Sequence, residues 1–422
     1  MKYFINQYGA KSDGSLCTVP IQKAIDDCFL NGGGEVVIPE GTWRIGCIRL
    51  RSNVTLHLME KTILEGSRDP EDYFSYLNDT VEPINPSDID KKTPTCVAEK
   101  TNSKSIFPYS RWNNAMIRAI NAKNICIIGE NGSVIDGKNC YDSQGEENYR
   151  GPHAINMWYC ENIELKGYTI KDSGNWAHAI QNSKNIKAQN LTVLAGHDGF
   201  DVRTCDNVDI TDCEFYTGDD CVAGFDNINV SVKNCTFSTA CNIVRFGGTD
   251  VLIENCKNIY PAKYGFRYNL TDEQKMLGSD CDENCRYNCE TLFSYYCDYR
   301  AKVRHTPGNI VFKNCSFTGV DSIFWLRNGH VWCCNRSLKG ITFENCNIQN
   351  VCNPIKIIAP ENEKLTFTMK NCTVSARDGA EDIIFAELEN CEEFILENTK
   401  LENFKKPQFV CNTPSRITIN KI

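Results

Sequence analysis

A repeat of about 22 residues constrains the fold of this chain more than any other feature of its sequence. Short β-rich segments begin at Asn162, Asn185, Asn207 and Asn227, which are 23, 22 and 20 residues apart. Ile, Val, Leu and Thr alternate along these segments, and no amphipathic helix separates them. This pattern predicts an all-β solenoid in which each coil buries its inward face against the next coil.

An Asn-Cys dipeptide recurs with the same register and predicts a stacked turn. Asparagine tolerates left-handed backbone angles and can bond to the asparagine of the next coil, while the cysteine points inward. The 25 cysteines of this 422-residue chain therefore fit reduced, buried thiols better than a disulfide framework. The dipeptide occurs at Asn234-Cys235, Asn255-Cys256, Asn314-Cys315, Asn345-Cys346, Asn371-Cys372 and Asn390-Cys391.

The ends and interruptions of the repeat suggest the domain organisation. We expect one domain over residues 1–422, with an N-terminal cap and first coils in residues 1–60. Thr18 can cap a helix that carries Ile21, Ala24, Ile25 and Cys28 on one face, and this helix would cover the open edge of the first coil. Residues 68–110 and 263–307 break the period and are expected to be loops that border a groove.

Charge and composition limit the partners and the compartment. Lys and Arg total 45 against 54 Asp and Glu, a net charge of −9, which disfavours nucleic acid and anionic membranes as partners. The segment MKYFINQYGAKSDG is too polar for a signal peptide, so we expect a cytoplasmic protein. The spacing of Cys281, Cys285 and Cys289 differs from that of common zinc pairs, and we expect no metal and no cofactor. The oligomeric state stays open.

One group of acidic residues is a candidate for catalysis. Asp198 precedes the pair Asp219 and Asp220 by 21 residues, close to one repeat, so one turn of the solenoid would place their side chains on neighbouring strands. Like charges at that distance raise at least one pKa and leave a protonated acid beside a carboxylate base. This pair of groups is what glycosidic bond cleavage requires.

Several segments together resemble glycoside hydrolase family 28, the polygalacturonases and related pectin-cleaving enzymes. These segments are GGGEVVIPEGTWRIGCIRLRSNVTLHL from Gly32, GSRDPEDY from Gly66, GSVIDG from Gly132, and HDGFD followed by TGDDC. The resemblance implies a right-handed parallel β-helix and hydrolysis with inversion at the anomeric carbon. It also implies that Asp219 is the general acid, while Asp198 and Asp220 hold and deprotonate the attacking water.

The chain also departs from the pattern of that family. Gly196-His197 precedes Asp198 where the family has Asn-Thr, and Cys241 stands where a histidine is expected. The family's Arg-Ile-Lys motif is missing, so Arg245 or Arg267 is the candidate for binding a sugar carboxylate through a bidentate fork. His178, one coil before Asp198, either contacts a sugar or has no functional role.

Three functions from different classes follow from these observations. The first is an exo-acting glycoside hydrolase on pectin-derived or related oligosaccharides that contain uronic acid or rhamnose. The second is a β-helix polysaccharide lyase or epimerase, because the fold does not determine the chemistry. The third is a carbohydrate-binding solenoid without catalytic activity. An aspartate cluster in register favours the first, since buried carboxylates destabilise a fold that does not use them.

Overall fold

The computed structural model describes residues 1–78, 110–277, 285–297, 303–327, 338–361, 365–405 and 408–420. These residues form two compact units. In the first unit the described residues are 1–78, 110–209, 266–277 and 285, and in the second they are 210–265 together with those that follow residue 285. The prediction of a single domain over residues 1–422 stays a prediction.

The first unit is a solenoid built from three ladders of parallel strands. Ile163 pairs with Ile186 in one ladder and Ile170 pairs with Val193 in another, so the same kind of apolar side chain recurs at the same position in successive coils. The first ladder contains Lys2–Phe4, Gly34–Ile38, Val54–Leu58, Lys123–Gly129, Glu161–Lys166 and Lys184–Gln189. The second contains Ile48–Leu50, Ala115–Ile120, His153–Trp158, His178–Gln181 and Phe200–Arg203. The third contains Gly41–Ile45, Thr62–Gly66, Val134–Asp136, Thr169–Lys171 and Thr192–Ala195. Two further strands lie in this part of the chain, Tyr141–Glu146 and Asp206–Thr211.

The second unit repeats this architecture. Two long strands, Val222–Lys233 and Asn242–Glu254, run through two faces of their coils and pair in parallel, with a register shift between Gly224 and Asn227. One face continues with Gly308–Lys313, Gly340–Glu344, Leu365–Lys370, Cys391–Glu397 and Arg416–Asn420. Another continues with Cys289–Tyr295, Val320–Leu326, Ile355–Ile358, Ile384–Glu389 and Gln408–Cys411. The third contains Glu214–Thr217, Thr236–Thr239, Lys257–Asn258, Ser316–Thr318, Asn347–Val351, Thr373–Ala376 and Lys400–Glu402. The predicted parallel β-helix fold is therefore confirmed.

The asparagine turn predicted at the Asn-Cys dipeptides is present in the second unit, and asparagines that begin the β segments of the first unit stack in the same way. In the first unit Asn185 Nδ2 donates to Asn162 Oδ1 at 2.9 Å, and in the second Asn345 Nδ2 donates to Asn314 Oδ1 at 3.1 Å. These residues adopt left-handed angles, for example φ 57° at Asn185 and 54° at Asn345. The side-chain hydrogen bond to the next coil therefore offsets the free-energy cost of the left-handed backbone angle.

Cysteines follow the turn asparagines of the second unit and line its interior. The Cys235 thiol donates to the carbonyl of Lys233 at 3.2 Å, and Cys315 makes the same contact with Lys313 at 3.2 Å. Both thiols are buried, and the described cysteines form no disulfide with one another. The prediction of buried thiols that pack as small apolar residues is confirmed for these positions.

The helix Thr18–Leu30 follows the strand Lys2–Phe4 and the 3₁₀ turn Ile5–Tyr8. Its buried face contains Ile21, Ala24, Ile25 and Cys28, as the sequence predicts. The predicted role of Thr18 as the cap is wrong, because Cys17 occupies the N-cap position and Thr18 is the first helical residue. The Thr18 hydroxyl instead accepts a hydrogen bond from the backbone N–H of Gly46 at 2.9 Å, which ties the helix to a strand connection.

The two segments expected to be loops contain short helical elements where the structure describes them. These elements are the 3₁₀ turns Pro70–Asn78 and Arg267–Asn269 and the helix Asp272–Leu277. The segment 263–307 also contains the strand Cys289–Tyr295, so the prediction of a loop is wrong for these residues, which pair with Asn242–Glu254. The larger part of the segment 68–110 lies outside the described residues. Within the described residues, every helix is too short or too polar to span a lipid bilayer.

Candidate active site

The residues predicted for the site belong to both compact units. Asp198, His178 and Arg267 lie in the first unit, and Asp219, Asp220, Cys241 and Arg245 lie in the second. The single pocket that all three aspartates are expected to share stays a prediction.

In the second unit, a tight turn carries Asp219 and Asp220 between the strands Glu214–Thr217 and Val222–Lys233. Two threonines from neighbouring coils fix this turn. Thr217 Oγ1 donates to the carbonyl of Asp219 at 2.7 Å, and Thr239 Oγ1 donates to the same oxygen. The backbone that carries the two carboxylates is therefore fixed at the carbonyl of Asp219 by hydrogen bonds from two neighbouring coils.

Asp220 is buried and has a donor on each carboxylate oxygen. Asn242 Nδ2 donates to Oδ1 at 2.6 Å, and Arg245 Nε donates to Oδ2. The Arg245 guanidinium also lies 4.8 Å from the ring centre of Tyr296. Burial raises the pKa of Asp220 above its ordinary value; Arg245 opposes this rise and the nearby charge of Asp219 adds to it. The Arg245 guanidinium predicted to bind a sugar carboxylate thus binds a carboxylate of the protein in this structure.

Cys241 lies beside both aspartates. One ligand atom from each of Asp219, Asp220 and Cys241 lies within 4.8 Å of the others. Burial raises the pKa of the Cys241 thiol well above its ordinary value, and the charges of Asp220 and Asp219 raise it further. The thiol is therefore neutral and supplies no positive charge at the position where the related family is expected to have a histidine.

The next coil adds charged residues that the sequence did not indicate. Glu290 Oε2 lies 4.0 Å from the Cys241 sulfur, and Arg286 forms an ion pair with Glu290. Arg286 Nε also donates to the carbonyl of Ala240 at 3.1 Å. Burial lowers the pKa of Arg327, while Glu290, Cys241 and Asp220 raise it. The guanidinium of Arg327 therefore interacts electrostatically with this cluster.

The grouping of Asp219, Asp220 and Cys241 is the kind of cluster that can hold a metal ion, with carboxylate and sulfur ligands. However, both oxygens of Asp220 already accept hydrogen bonds from Asn242 and Arg245. A guanidinium that is bonded to a ligand carboxylate competes with a cation for the same oxygen. The arrangement therefore fits acid–base chemistry better than metal binding.

In the first unit, Asp198 is buried at the start of the coil that continues into strand Phe200–Arg203. Its carbonyl accepts a hydrogen bond from the backbone N–H of Ala177 at 2.8 Å, which joins it to the preceding coil. Asp201 is the second aspartate of the HDGFD motif that contains Asp198. It forms a bidentate ion pair with Arg203, with distances of 2.8 and 3.0 Å, and is fully buried, so we interpret it as structural.

His178 is fully buried, and its contacts are internal. Its Nδ1 donates to the carbonyl of Gly199 at 3.0 Å, its Nε2 accepts from the Tyr168 hydroxyl at 3.1 Å, and the ring packs on Phe200 at 4.7 Å. Burial lowers its pKa to about 4. Because both nitrogens are occupied, we interpret His178 as a core residue and not as a sugar ligand.

The cysteine group noted in the sequence is only partly described. Cys281 lies outside the described residues, whereas Cys285 and Cys289 are buried. Arg304 binds Asp226 through its Nε at 3.0 Å, and its backbone N–H donates to the same carboxylate at 2.9 Å. Arg304 therefore fixes a loop to the second unit.

Comparison with known proteins relates part of this chain to a family of glycosyl hydrolases. The profile of the glycosyl hydrolases family 28 matches residues 85–243, a range that contains Asp198, Asp219, Asp220 and Cys241. A probable polygalacturonase of Vitis vinifera is 27% identical over 241 residues, which are 53% of this chain and 45% of that protein. An exo-poly-alpha-D-galacturonosidase of Dickeya chrysanthemi is 25% identical over 248 residues, 52% of this chain and 41% of that protein. The chain thus spans less than half the length of these relatives.

The fold has a close counterpart among solved structures. A family 28 exopolygalacturonase of Yersinia enterocolitica superposes with a TM-score of 0.65 and 16% sequence identity. The superposition covers 100% of this chain and 78% of the Yersinia protein. At this identity the likeness establishes the fold alone. The profile match and the curated relatives show that part of this chain is similar to glycoside hydrolase family 28.

Proposed function

We propose that this protein hydrolyses glycosidic bonds in pectin-derived oligosaccharides with inversion of configuration at the anomeric carbon. The observation that carries this proposal is the pair Asp219 and Asp220, with Asp220 held by Arg245 and Asn242. The two carboxylates have different surroundings, since Asp220 is buried and Asp219 is partly exposed. Carboxylates in unlike environments divide into an acid and a base.

The roles are those that the resemblance to glycoside hydrolase family 28 implies. Asp220 accepts one hydrogen bond from a cation and one from an amide, which favours its ionised form, while burial strengthens it as a base. We assign it to the attacking water together with Asp198. Asp219, which is the more accessible of the pair, donates its proton to the leaving oxygen.

The substrate class and the mode of attack are also proposals. Two similar proteins are named a polygalacturonase and an exo-poly-alpha-D-galacturonosidase, which supports uronic acid oligomers as substrates. The helix Asp272–Leu277 belongs to the same compact unit as Asp198, and an insertion near a catalytic residue can close one end of a cleft. This supports the exo mode. The cytoplasmic location stays a prediction.

The test is hydrolysis of galacturonic acid oligomers and rhamnogalacturonan fragments, followed as reducing-sugar release. Asp219→Asn should lower kcat by about 10²- to 10⁴-fold, the usual contribution of a general acid. Asp209→Asn makes the same change at an exposed aspartate and should leave kcat unchanged. Full activity in the Asp219→Asn enzyme refutes the assigned acid.

Product analysis separates hydrolysis from the other two classes of function. Proton NMR of the first product should show the anomer opposite to that of the substrate. An unsaturated product that absorbs in the ultraviolet would instead identify a lyase. Tight sugar binding without turnover of any oligomer would identify a binding solenoid.

A further inference from the structure

Cysteines of successive coils lie in single file along the asparagine turn of the second unit. The strands that follow them pair in parallel, so each cysteine carbonyl accepts a hydrogen bond from the residue after the cysteine of the next coil. Ser316 N–H donates to the carbonyl of Cys256 at 2.9 Å, although an insertion separates these two coils in the sequence. We call this file the thiol column, and it consists of Cys213, Cys235, Cys256, Cys315, Cys346 and Cys372.

The sulfur atoms of the thiol column contact one another. Thiol–thiol hydrogen bonds join Cys235 to the cysteines of both neighbouring coils, and they join Cys315 and Cys346 to their neighbours in the same way. Every side chain of the column belongs to a residue that is at most 2% exposed. The column is therefore an unbroken line of buried sulfur atoms, one from each coil.

The coil after Cys372 shows that the backbone does not require sulfur at this position. Thr399 takes the place of the cysteine there, since the N–H of Lys400 donates to the carbonyl of Cys372 at 2.9 Å. Thr399 Oγ1 donates to the carbonyl two residues earlier and to a carbonyl of the preceding coil, each at 3.1 Å. The Cys372 thiol makes the same two contacts at 3.3 and 3.4 Å. Because a hydroxyl makes both contacts, they do not account for a continuous file of thiols.

Sulfur atoms one coil apart match the geometry of a two-coordinate soft metal ion. Neighbouring strands lie about 4.8 Å apart. A metal–thiolate bond is about 2.3 Å long in zinc sites, so two such bonds in line span about 4.6 Å. The N–H of Cys256 donates to the Cys315 sulfur at 3.4 Å, and a donor of this kind favours the thiolate. Thiolates select soft ions such as Cu(I), whereas a structural Zn²⁺ site needs four ligands around one point, which a single file does not supply.

We propose that the thiol column binds Cu(I), with each ion held in line between the sulfur atoms of two neighbouring coils. Two S–H bonds are replaced by two S–Cu bonds, two protons pass to water, and no electron is transferred. The six sulfur atoms form at most three separate pairs, so the column holds up to three ions. Spacing along the sequence did not indicate this site, because the stacking of coils brings its ligands together.

The asparagines beside the column provide the route of entry. Asn371 Nδ2 donates to Asn345 Oδ1 at 3.2 Å, and both residues are exposed while the cysteines that follow them are buried. Opening one such turn gives an ion access to the sulfur atoms. Bound Cu(I) then links neighbouring coils through their side chains. This inference goes beyond the proposed hydrolysis and does not depend on it.

The test compares two variants that lose the same number of thiols. The alternating variant replaces every second cysteine of the column, so that no two column sulfurs remain neighbours, through Cys235→Ser, Cys315→Ser and Cys372→Ser. The block variant replaces the first half of the column and leaves the second half contiguous, through Cys213→Ser, Cys235→Ser and Cys256→Ser. Serine can keep the two carbonyl contacts, as the hydroxyl of Thr399 does.

Cu(I) is titrated without oxygen into the reduced full chain against a competing chelator, which reports the dissociation constant of the tightest site. Two ligands on one scaffold bind about 10²- to 10⁴-fold more tightly than one. The alternating variant should therefore bind Cu(I) more weakly than the wild type by about 10²- to 10⁴-fold, and the block variant should stay within about threefold of the wild type. Equal affinities in all three proteins, or equal losses in the two variants, overturn the proposal.

The ligands of the metal provide a second readout. X-ray absorption of the copper-loaded wild type and block variant should show two sulfur neighbours for each ion, and an excess of Zn²⁺ should not displace the copper. A shell of nitrogen or oxygen ligands overturns the proposal. Asp219→Asn should leave Cu(I) binding unchanged, so the column and the hydrolytic function fail independently of each other. Thermal unfolding shows whether the variants fold, and alanine replaces serine at the same positions where a serine variant does not.

Discussion

Arg245 sets the charge state of Asp220, and its removal tests the proposed catalytic base. Asp220 and Arg245 have side chains that are only 3% and 13% exposed, so solvent screens their attraction little. Two unit charges about 4 Å apart at an effective dielectric constant of about 20 attract by about 4 kcal/mol. This attraction favours the ionised form of Asp220, so the arginine holds the pKa of Asp220 below the value that burial alone would give it.

The variant Arg245→Met should therefore raise the pKa of Asp220 further above its ordinary value. A base works only when ionised, so the acid limb of the profile of kcat/KM against pH should move to higher pH by the same amount. Activity should recover on the alkaline side of the shifted limb. Arg245→Lys keeps the charge, and its limb should stay within about 1 pH unit of the wild type.

Stability provides a readout that does not depend on turnover. Asp220 already has a folded-state pKa above its ordinary value of 3.8, and Arg245→Met raises it further. The native state then keeps a proton that the unfolded chain releases, so the stability contributed by Asp220 is full below pH 3.8 and is lost as the pH rises through the folded pKa. The variant should lose more stability than the wild type between acidic and neutral pH. A folded variant whose acid limb stays in place, or moves to lower pH, refutes the assignment of Asp220 as the base.

Other predictions concern His178, Cys241 and the asparagine turn. His178 has a folded pKa of about 4 against an ordinary 6.5, so the stability that its neutral form contributes is lost as the pH falls from 6.5 towards 4. Urea unfolding should show that His178→Gln removes a slope of up to about 1.4 kcal/mol per pH unit in this window, and an unchanged slope contradicts its burial. Cys241→Ser replaces one neutral group by another and should keep kcat within about threefold, whereas a loss near that of Asp219→Asn would make the thiol a catalytic residue. Asn234→Ala should destabilise the fold by about 2 kcal/mol through its left-handed angle and lost hydrogen bonds, and Asn234→Gly by about half as much, because glycine retains the φ of 55°; equal costs in denaturant unfolding would exclude backbone strain.

The repeat allowed the fold to be predicted because it acts through local rules. A period near 22 residues, alternating apolar side chains and asparagine at the turn are each satisfied by neighbours one coil away. Asn345 bonds to Asn314 and Asn185 to Asn162, as their positions in the repeat predict. The apolar face of the helix Thr18–Leu30 follows from spacing in the same way. The spacing did not predict correctly that Thr18 caps this helix, because the Thr18 hydroxyl bonds to the backbone N–H of Gly46 instead.

The environment of the site residues depends on longer-range contacts that the period does not encode. Glu290 reaches Cys241 across 49 positions, because an insertion separates two strands that nevertheless pair. His178 was placed in the correct coil, but on a strand a shift of one residue exchanges the core face for the solvent face. The repeat therefore predicts the coil to which His178 belongs, but not whether its side chain points into the core or towards solvent. Arg267 lies within the insertion itself, where no repeat indicates which residue it contacts.

The exchange at position 241 changes how the charge of the site responds to pH. A histidine loses its charge near neutral pH, whereas the Cys241 thiol is neutral and the positive charge beside Asp220 comes from the guanidinium of Arg245. Guanidinium groups keep their charge up to a pH of about 12. The positive charge beside the proposed catalytic pair, Asp219 and Asp220, is therefore constant up to that pH. If the proposed function holds, we expect the alkaline limb of its pH profile to report deprotonation of the proposed general acid alone, without a histidine contribution.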